Sequence, residues 1–268
     1  MPTNPPSPDH ILRWVADARD LLREVAGRLW VRISTGRATR PQRRTIVGRL
    51  MDAGREKLAN LSRLFAEGLK ARLMTLAGWA RRFADMVAPQ HYAAVMAALG
   101  TIDPKPADLE ATHKQVMGQL RWLDRFREDI RTGRQVILAP PKIALPAPRP
   151  AFAPTFTDGG LTTASRRVTP IAPPTTTAAR VASAQFLNRS GMYADASWGV
   201  VEGVLRDGAI RDGYTEERRL LGGLTGSRSR HCQECPELAA MGWVPLNSLP
   251  AVGQTPCRTR CRCSWQWR

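Results

Sequence analysis

Apolar positions recur along the first half of the chain at intervals of three and four, the spacing that gathers side chains on one face of an α-helix. Ile11, Leu12, Trp14, Val15, Leu21, Leu22, Val25, Leu29 and Trp30 make the first stripe. It predicts a helix capped by Asp9 that fades at Ser34-Thr35-Gly36. Pro41 suits a second helix start, where its missing N–H does no harm. From there the stripe runs through Ile46, Leu50, Leu58, Leu61, Phe65, Leu69, Leu73, Leu76, Ala80, Phe83 and Val87. One long helix, or two joined near Gly54 or Gly68, follows from it. Pro89 predicts the restart of a short helix closed by Gly100. Beyond Pro104 and Pro106 another helix runs through Leu109, Val116, Leu120, Leu123, Phe126 and Ile130, with Gly133 just past its end.

The periodicity then lapses. Residues 139–177 are rich in Pro, Thr and Ala, which predicts an extended linker or arm with polyproline II character. Helical spacing returns from Ala178 and restarts after Ser190-Gly191, with Tyr193, Trp198, Val201, Val204 and Leu205 as its apolar face and Gly213 as its stop. Thr215 to Gly223 reads as a short strand or extended leg. The chain is therefore expected to be mainly α: a long-helix bundle over residues 1–138, a Pro/Thr-rich linker over 139–177, and a small α+β module over 178–268.

Charge changes this picture in one respect. Forty Lys and Arg against 23 Asp and Glu leave a net charge of +17 in 268 residues, spread over both halves instead of gathered in a tail. Such a balance attracts polyanions, nucleic acid first among them. A GC-rich coding sequence would also enrich arginine. Arg43, Arg44, Arg49, Arg55, Arg63, Arg72, Arg81 and Arg82 sit off the apolar stripe and read as a solvated face, with a nucleic-acid-facing surface as the other reading. No apolar run approaches the ~20 residues of a membrane span. His10, His91 and His113 stand isolated, and nothing in residues 1–138 has the pattern of a catalytic site.

The chemistry gathers at the other end. All five cysteines, Cys232, Cys235, Cys257, Cys261 and Cys263, lie in the last forty residues. A C-x2-C turn followed by a second cluster is the spacing of a tetrahedral zinc site. Cys232, Cys235 and Cys257 lead as ligands, Cys261 and Cys263 compete for the fourth place, and His231 is a further candidate. Cys261 and Cys263 share one face of an extended segment, so one can ligate while its neighbour stays out of the site. Disulfides or inert thiols are the plainer alternatives. The start MPTNPPSPDH has no secretory leader and the odd number of cysteines suits a disulfide set poorly, so a structural Zn2+ is expected. A small module with a limited core gains most from such a staple. Trp265 and Trp267 alternate with polar residues, which places both rings on one face, packed over this site.

The C-terminal third also resembles the C-terminal region of phage minor head morphogenesis proteins, the group typified by the F protein of phage Mu. The resemblance rests on a helix at Tyr193–Asp212, an extended leg at Glu216–Leu221, Cys232-Gln-Glu-Cys235, Gly242-Trp243, Pro250 and the closing Cys261-Arg262-Cys263. The family's His before Cys-Arg-Cys is replaced by the stretch Arg258-Thr259-Arg260, with Cys257 able to serve as the ligand. The family's Arg-Thr-Glu motif is absent. The resemblance implies a structural, non-enzymatic minor capsid protein that joins the portal or the major capsid protein and acts in the host cytoplasm during virion assembly. It would remain in the virion head with its basic surface toward packaged DNA, making non-specific phosphate contacts.

Two other readings use the same residues. A stand-alone zinc-stapled protein could bind nucleic acid through its charge. Zinc deaminases place a Glu between a metal ligand and Pro-Cys-x-x-Cys, and Cys232-Gln233-Glu234 followed by Pro256-Cys257 is a partial match. Cys261 comes one residue late for that spacing, and Pro236 and Gly242 leave little room for a helix after Glu234.

Overall fold

The computed structural model describes residues 6–70, 73–138, 182–222, 232–255 and 261–268. The linker over 139–177, and His231 and Cys257 among the candidate ligands, lie outside the described residues. The described residues are mainly helical, with one small three-stranded antiparallel sheet.

Helix α1 (Pro8–Ala26) is capped by Ser7, whose hydroxyl accepts from the His10 N–H. Asp9 therefore lies in the first turn and is not the cap. Pro8 takes the first helical position, which puts the cap at Ser7, two residues before Asp9. A 3-10 turn at Gly27–Leu29 leads into α2 (Trp30–Ser34), which ends where the sequence predicted. The long stripe folds as two helices, α3 (Arg40–Lys70) and α4 (Leu76–Leu99), joined just beyond Gly68.

Pro89 does not restart a helix; it lies inside α4. Its missing N–H and its ring cost about 3 kcal/mol in a helix interior. Here every residue from Val87 to Ala97 is buried, so tertiary packing holds the helix through the proline. Gly100 closes α4 in the left-handed conformation, and Gly133 (φ 74°) follows α5 (Pro106–Arg131) at the expected place.

The chain leaves the described residues at Leu138 and returns at Ala182, and these two residues pair as an antiparallel bridge. Ser183 then caps α6 (Ala184–Asp195) through the Phe186 N–H. The helix runs straight through Ser190-Gly191, against expectation. A Cβ at Gly191 would lie 3.0 Å from Arg55 Cγ, and the Ser190 hydroxyl accepts from Ser62 of α3 at 2.8 Å. Small residues that read as a break are there so that α6 can lie close against α3. Helix α7 (Ser197–Arg211) follows after one residue and ends before Gly213 (φ 81°).

Strand β1 (Glu216–Leu220) is central in the sheet, flanked by β2 (Val244–Pro245) and β3 (Ser264–Trp267). Between β1 and β2 stands α8 (Glu234–Ala240), a helix of 7 residues that accommodates Pro236 in its first turn. Pro236 and Gly242 were expected to leave little room for it, but a proline in the first turn sacrifices no intrahelical hydrogen bond.

Two apolar clusters result. One is aromatic and holds Phe65, Trp79, Phe83, Phe126, Phe186 and Tyr193, drawn from α3, α4, α5 and α6. The other runs from α1 and α3 through α4 and α7 to the sheet, where Trp198, Cys235, Cys261, Cys263 and Trp265 belong to it. Helices α6 and α7 thus share their cores with the helices of residues 1–138.

Candidate metal centre

Alternation along Glu216–Leu220 turns Glu217 and Arg219 inward, toward the face that also carries Trp265. Arg206 of α7 meets Glu217 with both guanidinium arms, through Nε at 2.7 Å and through Nη2. Glu217 is fully buried and also accepts from the Leu249 N–H at 3.2 Å. The guanidinium of Arg206 lies 4.5 Å and that of Arg219 4.3 Å from the Trp265 ring centroid, and Arg219 donates to the Pro250 carbonyl. A carboxylate, two guanidiniums and an indole therefore fix β1, β3 and the 249–250 loop to α7. Sequence reading missed this group. The inward register of Glu217 was legible in principle, but its partner eleven residues back was not.

The thiols sit at the end of this arrangement. Cys235 is in the first turn of α8, its N–H bonded to the Cys232 carbonyl at 3.2 Å, so the C-x2-C turn points both thiols one way. Cys261 and Cys263 lie just ahead of β3, and the Trp198 indole holds the Cys263 carbonyl at 2.8 Å. Backbone from the leg comes very close here: a Cβ at Gly222 would stand 1.8 Å from the Arg262 carbonyl oxygen, so only glycine fits.

The sulfur atoms of Cys235, Cys261 and Cys263 all lie within 4.8 Å of one another, and all three residues are buried. Cys232 Sγ is 3.2 Å from Cys235 Sγ, and Cys235 Sγ is 3.9 Å from Cys261 Sγ. Four thiolates about one ion at ~2.3 Å would stand ~3.8 Å apart in a tetrahedron, so these separations suit a shared ion. Two residues apart on extended chain, Cys261 and Cys263 face the same way, and the structure brings both into the group where one was expected to stand aside.

The surroundings favour negative sulfur. Backbone N–H groups of Cys263 and Gly253 point at Cys261 Sγ, and that of Gly222 points at Cys263 Sγ. Cys261 is drawn down, first by the hydrogen bond from the Cys263 thiol, while Cys263 is pushed up by the same bond and by burial. The first thiolate forms readily; further ones need a cation among them. This buried three-cysteine group can hold a metal ion, with Cys232 placed to join it.

Of the deaminase alternative's residues, Cys232 and Glu234 lie in the C-x2-C turn, while Pro256 and Cys257 lie outside the described residues. Glu234 is exposed on the first turn of α8. His91 and Ser197 form a 2.8 Å pair, but both are fully buried between α4 and α7, where burial lowers the imidazole to about 3. No described helix is long and apolar enough to cross a membrane. Comparison with protein-family models, curated proteins and solved structures finds no match.

Proposed function

We propose that this chain is a structural, non-enzymatic protein of a tailed-phage head, a minor capsid or head morphogenesis protein. It associates with the portal or the major capsid protein, in the host cytoplasm during assembly and then inside the virion head. A structural Zn2+ closes its C-terminal module through four of Cys232, Cys235, Cys257, Cys261 and Cys263. The observation that carries this reading is the convergence of Cys235, Cys261 and Cys263 at the end of β1. The features that carry the family resemblance (helix, extended leg, C-x2-C turn, closing Cys-Arg-Cys) are packed into one unit around these thiols. With four thiolates on the ion no coordination position is left open, which suits a staple and not a Lewis acid.

Exposed arginines on α3 and α4 and the charge of +17 fit a surface that faces packaged DNA through phosphate contacts without reading sequence. The same charge favours a second reading, a zinc-stapled protein that binds nucleic acid by itself. Co-expression with the portal and major capsid proteins of a tailed phage, followed by particle purification, separates the two. Incorporation at few copies per particle, lost in Cys235→Ser, is the expected result. Failure to enter particles, with tight and steeply salt-dependent DNA binding by the isolated chain, would overturn the head-protein reading.

A further inference from the structure

A cavity of about 320 Å³ opens between the start of α3, the inner part of α7 and the end of β3. It lies at the small end of ligand-sized pockets, large enough for one nucleotide and too small for a base pair. Its walls combine three chemistries. Arg40 and Arg44, both exposed, supply positive charge at the mouth. Trp198, Trp265 and Trp267 line it, with Tyr214, 44% exposed; the Trp265 ring already carries the Arg206 and Arg219 guanidiniums, and Trp267 is the least buried of the three. Glu202 is 3% exposed; one carboxylate oxygen accepts from the Trp265 N–H at 3.1 Å, and the residue lines the cavity.

The cavity is braced. Arg44 donates to the Ser264 hydroxyl at 2.9 Å with its guanidinium 5.9 Å from the Trp198 ring centroid, and Arg43 donates to the Ala98 and Leu99 carbonyls at 3.1 Å. Two lining donors, Arg43 Nε and Trp267 Nε1, have no hydrogen-bond partner among the described residues. Exposed guanidiniums, a partly exposed indole and one buried carboxylate among the lining residues are the complement of a phosphate, a nucleobase and a base N–H.

We infer that this cavity binds a single unstacked nucleotide, its phosphate on Arg40 and Arg44, its base against Trp267, and a base N–H donated to Glu202. Guanine, with two adjacent N–H donors on one edge, suits the carboxylate best. The nucleotide is free or belongs to a single strand of nucleic acid. The inference does not rest on the head-protein reading, since a chain that never enters particles could still bind.

The test is a tryptophan-fluorescence titration of the full chain with deoxyguanosine monophosphate, with a short single-stranded oligonucleotide ending in guanine, and with inorganic pyrophosphate. Saturable binding of the mononucleotide is expected, weakened about tenfold or more in the double variant Arg40→Gln, Arg44→Gln. It should be unchanged in Arg63→Gln, Arg82→Gln, which removes the same charge from exposed sites that do not line the cavity. Tighter binding of the oligonucleotide than of the mononucleotide would identify a strand as the source, and equal binding a free nucleotide. Glu202→Gln should reduce the preference for guanine over adenine. Pyrophosphate binding as tight as the nucleotide, equal loss in both double variants, or no saturable binding would each overturn the inference.

Discussion

Around Trp79 the helices meet through rings: Phe65 and Phe83 at 5.0 Å, Phe126 at 5.4 Å and Phe186 at 5.8 Å between centroids. Around Trp265 the neighbours of the ring are Arg206 and Arg219, with Glu217 closing the charge and thiols beside them. The first region is held by apolar area and shape, which no change of solution removes short of unfolding. The second is a sheet of three short strands, too small to stand on its apolar contacts. It depends on an ion pair and on N–H···S bonds, and its buried thiols form a group that can hold a metal ion. One end of the molecule should therefore answer to volume, the other to charge.

Metal removal should part the two most widely. Chelation, or Cys235→Ser, should abolish metal binding, measured by mass and metal content, and shift the emission of Trp198 and Trp265. Apparent zinc-binding energies of ~10–16 kcal/mol in finger peptides set the scale of what can be lost. Far-UV circular dichroism of the helices should change little. A collapse of the helical signal on chelation would show that the two regions are not held independently.

Trp79→Ala attacks the other end. Removing a fully buried indole should cost about 3–5 kcal/mol in denaturant melts and leave metal stoichiometry unchanged. Glu217→Gln comes next, at about 3 kcal/mol, because it leaves the Arg206 guanidinium buried and unpaired. Its loss should appear at the sheet, as faster hydrogen exchange in β1 and β3. Exchange that accelerates first in α3 and α6 instead would contradict the assignment of this ion pair to the sheet end.

How far the sequence could be read follows the same division. Stripes such as Ile46, Leu50, Leu58 and Phe65 were legible because helix burial repeats locally, and Gly100, Gly133 and Gly213 because a left-handed residue is a local need. Pro89, Ser190 and Gly191 misled because packing against other helices decides their state. The cysteines were legible as a set by spacing, yet the gathering of Cys261 and Cys263 with Cys235 depends on β3 pairing with a leg distant in sequence, Leu220 opposite Ser264 and Glu217 opposite Trp267. Glu217 with Arg206, and Glu202 under Trp265, are tertiary facts that carry no local mark.

Acidity gives the smallest and sharpest contrast, since two buried groups, His91 and Glu202, are shifted in opposite directions. His91, between α4 and α7, is lowered by burial from 6.5 to about 3. Over that window the unfolded chain binds the extra proton, so its contribution is complete above pH 6.5 and is lost as pH falls. Glu202, against β3, is raised by burial from 4.5 to about 7 despite the Trp265 N–H and the charges of Arg44 and Arg40. There the folded chain binds the extra proton, so its contribution is complete below pH 4.5 and is lost as pH rises toward 7. Between pH 4.5 and 6.5 each changes by about 2–3 kcal/mol, in opposite directions. The difference in stability between Glu202→Gln and the unaltered chain should therefore grow with pH across this range, as the variant keeps what Glu202 loses. A difference independent of pH would mean that Glu202 is solvated, and that the wall of the cavity beneath Trp265 is open to water.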